Sequence, residues 1–145
     1  MASIFDVATY ILKKQGSMTT MKLQKLCYYA QAWSLVWDEE PIFDEDFQAW
    51  ANGPICPSLF AAHRGLFFVS DTAFTDRIKA GALNRSQQNT INNVLKFYGD
   101  KEPLWLSNLT HQEAPWLSAR KGYDIGESCS ETITKESMQQ YYAGL

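Results

Sequence analysis

Phe47 to Phe60, FQAWANGPICPSLF, is the stretch whose reading decides the fold. Phe47 and Ala49 alternate with Gln48 and Trp50, which is the period of a short strand. Asn52-Gly53-Pro54 reads as the end of that strand. Asn and Gly tolerate positive φ, and proline fixes its own φ and carries no N–H. A residue before proline is steered out of the helical region, so Gly53 is an extended or turn residue. Pro57 suits the first turn of a helix running through Leu59 and Phe60. One small unit thus turns a strand into a helix and sets Trp50 beside the corner.

Upstream, Asp38-Glu39-Glu40-Pro41 breaks a helix. Ile42-Phe43 and Phe47 to Trp50 can then pair as a hairpin around Asp44-Glu45-Asp46. Two strands alone are marginal and need a helix over one face. The nearest one starts at a Thr19 or Thr20 cap and reaches about Trp37. Leu23, Leu26, Cys27, Ala30, Trp33 and Trp37 recur at three- and four-residue steps as its buried stripe. Lys22, Lys25 and Tyr29 share another face, expected to be exposed. Cys27 lies on the apolar stripe, which makes it a core thiol rather than a nucleophile. Residues 3 to 15 form a first helix, capped by Ser3 with Asp6 three residues on. Gly16 ends it, after Lys13 and Lys14.

Downstream, the third helix runs from about Pro57 to Phe68, with His63 near its end in a capping or surface role. Ser70 to Asn84 is a polar connection. Ser86 caps a fourth helix buried through Ile91, Val94, Leu95 and Tyr98, and Asp100 caps a short fifth one. Thr110-His111-Gln112-Glu113 reads as a capping box for a helix to about Arg120. Gly122 to Ser130 is loop. Ile133, Thr134 and Met138 place a hydrophobic staple around the cap of the last helix.

At 145 residues the chain is expected to be one domain, 1–145, with one core. Its composition, 46% hydrophobic and 20% charged, is that of a globular protein. Aromatics at 14% supply core area and favour partner surfaces. The net charge of −3 and dispersed lysines and arginines argue against nucleic acid as the main partner. The three cysteines, Cys27, Cys56 and Cys129, have no metal-ligand spacing. No signal peptide and no membrane span is expected, and a reducing cytoplasm fits.

His111 and Glu113, beside Pro115 and Trp116, form the most suggestive polar cluster. A His–carboxylate pair can act as base and orienter. No nucleophile accompanies it at motif spacing, and hydrogen bonding at a helix start explains the pair equally well. There is no GxGxxG or P-loop, so no cofactor is implied. The acidic turns at 38–40 and 44–46 lack the ligand pattern of a calcium loop. Trp50, Trp105 and Trp116 each stand beside proline or glycine punctuation. Such rings anchor a core, or serve as hot spots where part of a ring stays exposed.

Three segments in order, MKLQKLCYYAQAW (Met21 to Trp33), FQAWANGPICPSLF and LTHQEAPWLSAR (Leu109 to Arg120), resemble the Panacea domain, the SocA-like antitoxin family also met in phage-associated proteins. The final Ile133 to Tyr142 segment resembles the family's closing helix. Ile55-Cys56 and Ala51-Asn52 depart from the family's usual residues. The resemblance implies a mainly α fold (α+β), a compact bundle of about six helices with a small two- or three-stranded β element. It implies an antitoxin that binds and neutralises a toxin encoded beside it, with no catalytic residues. At least one relative looks to be a proteolytic adaptor, delivering its toxin to an ATP-dependent protease.

The leading reading is therefore a non-enzymatic antitoxin acting through a protein interface with a cognate toxin. Expected contacts are Lys22, Lys25 and Tyr29, the corner at Trp50, Asn52, Gly53 and Pro54, and His111, Glu113 and Trp116. The alternatives are a proteolytic adaptor and a small enzyme using His111 and a cysteine. Nothing in the sequence sets the oligomeric state.

Overall fold

The structure is a computed structural model that describes residues 1–145. Its longest helix, α2 (Thr20–Trp37), is the element the others pack on. Helix α1 (Ile4–Gln15) precedes it, with the two-residue strand β1 (Met18–Thr19) between them. After α2 come β2 (Phe47–Trp50), β3 (Gly53–Ile55), α3 (Pro57–His63) and β4 (Phe68–Val69). Helices α4 (Arg85–Tyr98), α5 (Pro103–Thr110) and α6 (Ala114–Ala119) follow, then β5 (Thr132–Ile133) and α7 (Lys135–Ala143). The fold is mainly α, with one two-stranded and one three-stranded antiparallel sheet.

Helix α2 is buried on all sides rather than along one stripe. Its residues from Leu23 to Ala32 are buried without a break. Helices α1, α4, α5 and α7 and strand β3 all lie against it. Lys25 and Tyr29, expected on an exposed face, are therefore fully buried. Helical spacing does place them together, but a second set of elements covers that face. Trp37, expected on the stripe, is instead exposed and stacks on Trp33 at a centroid distance of 5.0 Å.

The hairpin forms with a different partner from the one expected. Strand β2 pairs with β3 through the two-residue turn Ala51-Asn52, and with β5 on its other side. Gly53-Pro54 thus continues the sheet. Pro54 lies opposite Ala49 on an edge strand, where a missing N–H breaks no ladder. Gly53 has φ +113°, and a Cβ there would lie 2.6 Å from Lys25 Cε and 2.9 Å from Thr110 Oγ1. Both conformation and space require glycine.

Ile42-Phe43, the expected pairing partner, makes no strand. The Gln31 side chain holds it, its amide nitrogen donating to Phe43 O (2.7 Å) and its oxygen accepting from Ile42 N (2.9 Å). Gln24, two turns earlier, does the same for the edge of β3. It accepts from Cys56 N at 2.8 Å and donates to Cys56 O at 3.3 Å.

The Ser3–Asp6 capping box and the Thr19 cap form as expected. So does the Thr134 cap, with Ile133 and Met138 buried on either side. Helix α4 begins one residue before Ser86, capped by Asn84 with Gln87 in a reciprocal box. Asp100 is not a cap; Glu102 precedes α5 without a side-chain bond, and Pro103 opens it. Thr110 to Glu113 is not a capping box, because Thr110 ends α5 and its hydroxyl donates to Ser107 O at 2.7 Å. Helix α3 stops at His63, and the chain returns as β4 against β1.

Replacing Gln31 by leucine keeps the volume but leaves a buried N–H and C=O unpaired. The expected loss is about 2–4 kcal/mol, read from urea unfolding followed by circular dichroism. A loss below about 0.5 kcal/mol would mean that water reaches these groups.

Candidate functional site

The hairpin is gripped from below by side chains that take its carbonyls. Arg120 Nη1 donates to Ala49 O at 2.8 Å, and Trp116 Nε1 to Trp50 O at 2.8 Å. Ser107 Oγ donates to Asn52 O at 3.1 Å. The other Arg120 nitrogen, Nη2, donates to Asp124 O (2.9 Å) and Glu127 O (2.6 Å), which fastens the following loop. The guanidinium lies 4.9 Å from the Trp116 ring centroid, a cation–π contact. Arg120 is buried with carbonyls as its partners and no carboxylate.

Beneath Gly53 lies Lys25. Its ammonium is fully buried with no hydrogen-bond partner, and burial pulls its pKa down to about 7. His111, half-buried, stacks on Trp116 at 4.2 Å, and its Nε2 has no partner. Burial lowers its pKa, and the nearby Lys25 charge lowers it further.

Glu113 turns inward from the start of α6. Its Oε1 accepts from Tyr29 and Tyr142, each at 2.7 Å. The Tyr28 and Tyr142 hydroxyls lie 3.2 Å apart. Tyr142 has one hydroxyl hydrogen, so with that on Glu113 it is Tyr28 that donates to Tyr142. Burial raises the Glu113 pKa, while the two phenols act against that rise. Tyr29 also stacks on Tyr98 at 4.1 Å.

The ten expected contacts thus separate by depth. Lys25, Tyr29, Gly53, Pro54, Glu113 and Trp116 are buried. Lys22, Trp50 and His111 are half-buried, and Asn52 is exposed. Lys25 meets Gly53, Trp116 meets Trp50, and Tyr29 meets Glu113. Lys22 joins none of these pairs. Trp105, the third punctuated tryptophan, is exposed.

No His–carboxylate pair assembles, because the Glu113 carboxylate is taken by two phenols. Cys27 and Cys56 are buried, and burial raises both thiol pKa values, which disfavours thiolate. No three His, Cys, Asp or Glu side chains are grouped to hold a metal ion. No helix is long and apolar enough to cross a membrane.

On the outer side of the hairpin a pocket of about 630 Å³ opens. Trp50, Ile55, Phe60 and Met21 form its apolar walls, with Gln24 and His63 among them. His63, expected near the surface, is buried, and its Nε2 lies 3.1 Å from the Gln24 amide nitrogen. The far wall is the segment Ser128 to Ser130. Beside the pocket, Leu66, Phe67 and Phe68 are 53%, 78% and 57% exposed. Thr20, which lines the pocket, donates to Phe67 O at 3.0 Å, so the two features adjoin. Neither the pocket nor this run was marked in the sequence, since a helix to Phe68 would have shared those side chains between core and solvent. Arg120 and Gln24 were also missed, as nothing in local spacing distinguishes a buried clamp from a surface polar residue.

The profile of the family described as antitoxin SocA-like, Panacea domain, matches residues 23–117. That is more than half of the chain, and the protein belongs to this family. The match begins in α2 and ends in α6, and so contains Lys25, the hairpin and the His111–Trp116 stack. No curated protein matches the chain, and no solved structure does.

Lys25 makes a pH signature. The unfolded side chain keeps its proton to about 10.5 and the folded one to about 7. Between those values the unfolded chain binds more protons, so stability rises with pH. At and below pH 7 the full cost is present, on the order of 4–5 kcal/mol. Lys25→Met is expected to stabilise the protein by a few kcal/mol at pH 7. It should also flatten the rise in stability between about pH 7 and 9. Urea midpoints at the two pH values check both; an unchanged slope would show that Lys25 is paired or hydrated in the folded state.

Proposed function

We propose that this protein is the antitoxin of a toxin–antitoxin pair and neutralises its toxin by direct binding, without catalysis of its own. Family membership supports the reading. The observation that carries it is the consecutive exposure of Leu66, Phe67 and Phe68 beside an open apolar pocket. Three adjacent large apolar side chains in water are a liability in a free monomer and mark a contact surface. A specific interface uses about 800 Å² on each side. The apolar run and the pocket rim together supply its central, most readily desolvated part.

The buried polar cluster serves this function by fixing the hairpin. Lys25 and Glu113 are buried, Lys25 directly beneath Gly53, so they support the surface from underneath. Trp50 and Asn52, with the half-buried Lys22 and His111, are then the expected contacts within reach of a partner, while Trp116 holds the Trp50 carbonyl and Ser107 that of Asn52.

The test is co-expression with the adjoining gene. The wild-type protein should restore growth and co-purify with that gene's product. Phe67→Asp, on a largely exposed position, should keep the fold and weaken the complex at least tenfold, about 1.4 kcal/mol or more. An adjoining product that is harmless alone, or that forms no complex by size exclusion, would remove the basis for the reading. The partner's half-life in cells lacking ATP-dependent proteases separates masking from delivery for degradation.

A further inference from the structure

We propose that the pocket beside Trp50 receives an extended segment of the toxin, anchored by an aromatic side chain and flanked by lysine or arginine. The proposal rests on the antitoxin reading and specifies the chemistry of the partner.

The lining excludes a charged anchor. No Lys, Arg, Asp or Glu is among the lining residues. His63 is held neutral by geometry. Gln24 Oε1 is committed to Cys56 N, so the amide nitrogen faces His63 Nε2. That makes Nε2 the acceptor and leaves the ring hydrogen on Nδ1. The apolar side is built of rings: Trp50 meets Phe60 edge-on at 4.9 Å, and Phe60 meets His63 edge-on at 5.4 Å. Another ring extends this edge-to-face cluster with favourable geometry.

The far wall favours a peptide over a compact molecule. Ser128, Cys129 and Ser130 run without turn or helix into β5. Their backbone N–H and C=O groups take no partner within the chain. A backbone with unpaired groups leading into a sheet strand is the template that strand addition uses. The pocket volume accommodates the side chains that such a strand would point inward.

The rim sets the flanking charge. Asp124, Glu127 and Glu131 are exposed along the loop that forms this wall, against one exposed base, Lys121. Glu127 and Glu131 are neutralised by no ion pair. Basic flanks on the incoming segment complement this edge, and acidic ones are repelled.

The experiment titrates three acetylated, amidated pentapeptides, KTFTK, ETFTE and KTATK, into the full-length protein and follows the Trp50 indole by NMR. KTFTK should bind at least tenfold more tightly than either of the others. Ser130→Trp, which adds a ring at an exposed lining position, should abolish the shift with the fold intact. Asp124→Lys combined with Glu131→Lys should reverse the preference toward ETFTE. Equal binding of KTFTK and KTATK, equal binding of KTFTK and ETFTE, or no shift with about 1 mM KTFTK overturns the proposal. A homodimer that Ser130→Trp dissociates also overturns it, since the occupant is then a second copy. Neutralisation in cells separates the two readings. If wild type and Ser130→Trp protect equally, the pocket assignment falls and the antitoxin reading stands. If wild type protects nothing, the antitoxin reading falls, and the peptide series judges the pocket by itself.

Discussion

Two glutamine side chains on α2, Gln24 and Gln31, stand where a sheet would otherwise need another strand. Each presents a donor and an acceptor at the spacing of a peptide group, and each closes on the backbone of a passing segment. Backbone groups buried without partners would cost more than most single contacts return. With these amides in place, a central helix can lie directly against non-helical chain and stay dry. The course of residues 42–43, the edge of β3 and the entry to α3 all follow from that arrangement. The pocket follows too, since Gln24 also sets the ring of His63.

Lys25 shows the opposite tendency. A fully buried amine without a partner works against the fold, and the chain tolerates it directly under the hairpin turn. Natural proteins accept such local conflicts mainly where function constrains the site. Its neighbours explain how it is accommodated. Gly53 leaves room for the lysine stem, and Thr110 borders the same space. The hairpin apex is thus shaped by one missing side chain and one misplaced charge.

Much of the architecture was legible in the residues. The caps at Ser3, Thr19 and Thr134, the strand at Phe47 to Trp50 and the helix opened by Pro57 all stand where local chemistry put them. The failures share one cause. Helical periodicity shows which residues share a face, but not whether a second layer covers it, so Lys25 and Tyr29 were placed in water. Nor does alternation say which strand is the neighbour, so Ile42-Phe43 was paired where Gly53-Ile55 belongs. The family match agrees with the resemblance carried by three motifs, and the position of those motifs around one hairpin explains why they occur together. The pocket was not legible, because its two walls come from segments 50–63 and 123–130, far apart in the chain.

Arg120 holds the 122–131 loop solely through main-chain oxygens, those of Asp124 and Glu127. Every amino acid offers such an oxygen in the same place. The loop's path is therefore anchored while the side chains at its exposed positions stay open, Gly122 and Gly126 with their positive φ and the buried Cys129 excepted. Substitutions at those positions change the charge and shape of this edge without touching its anchor, which gives the molecule a variable rim on a fixed frame.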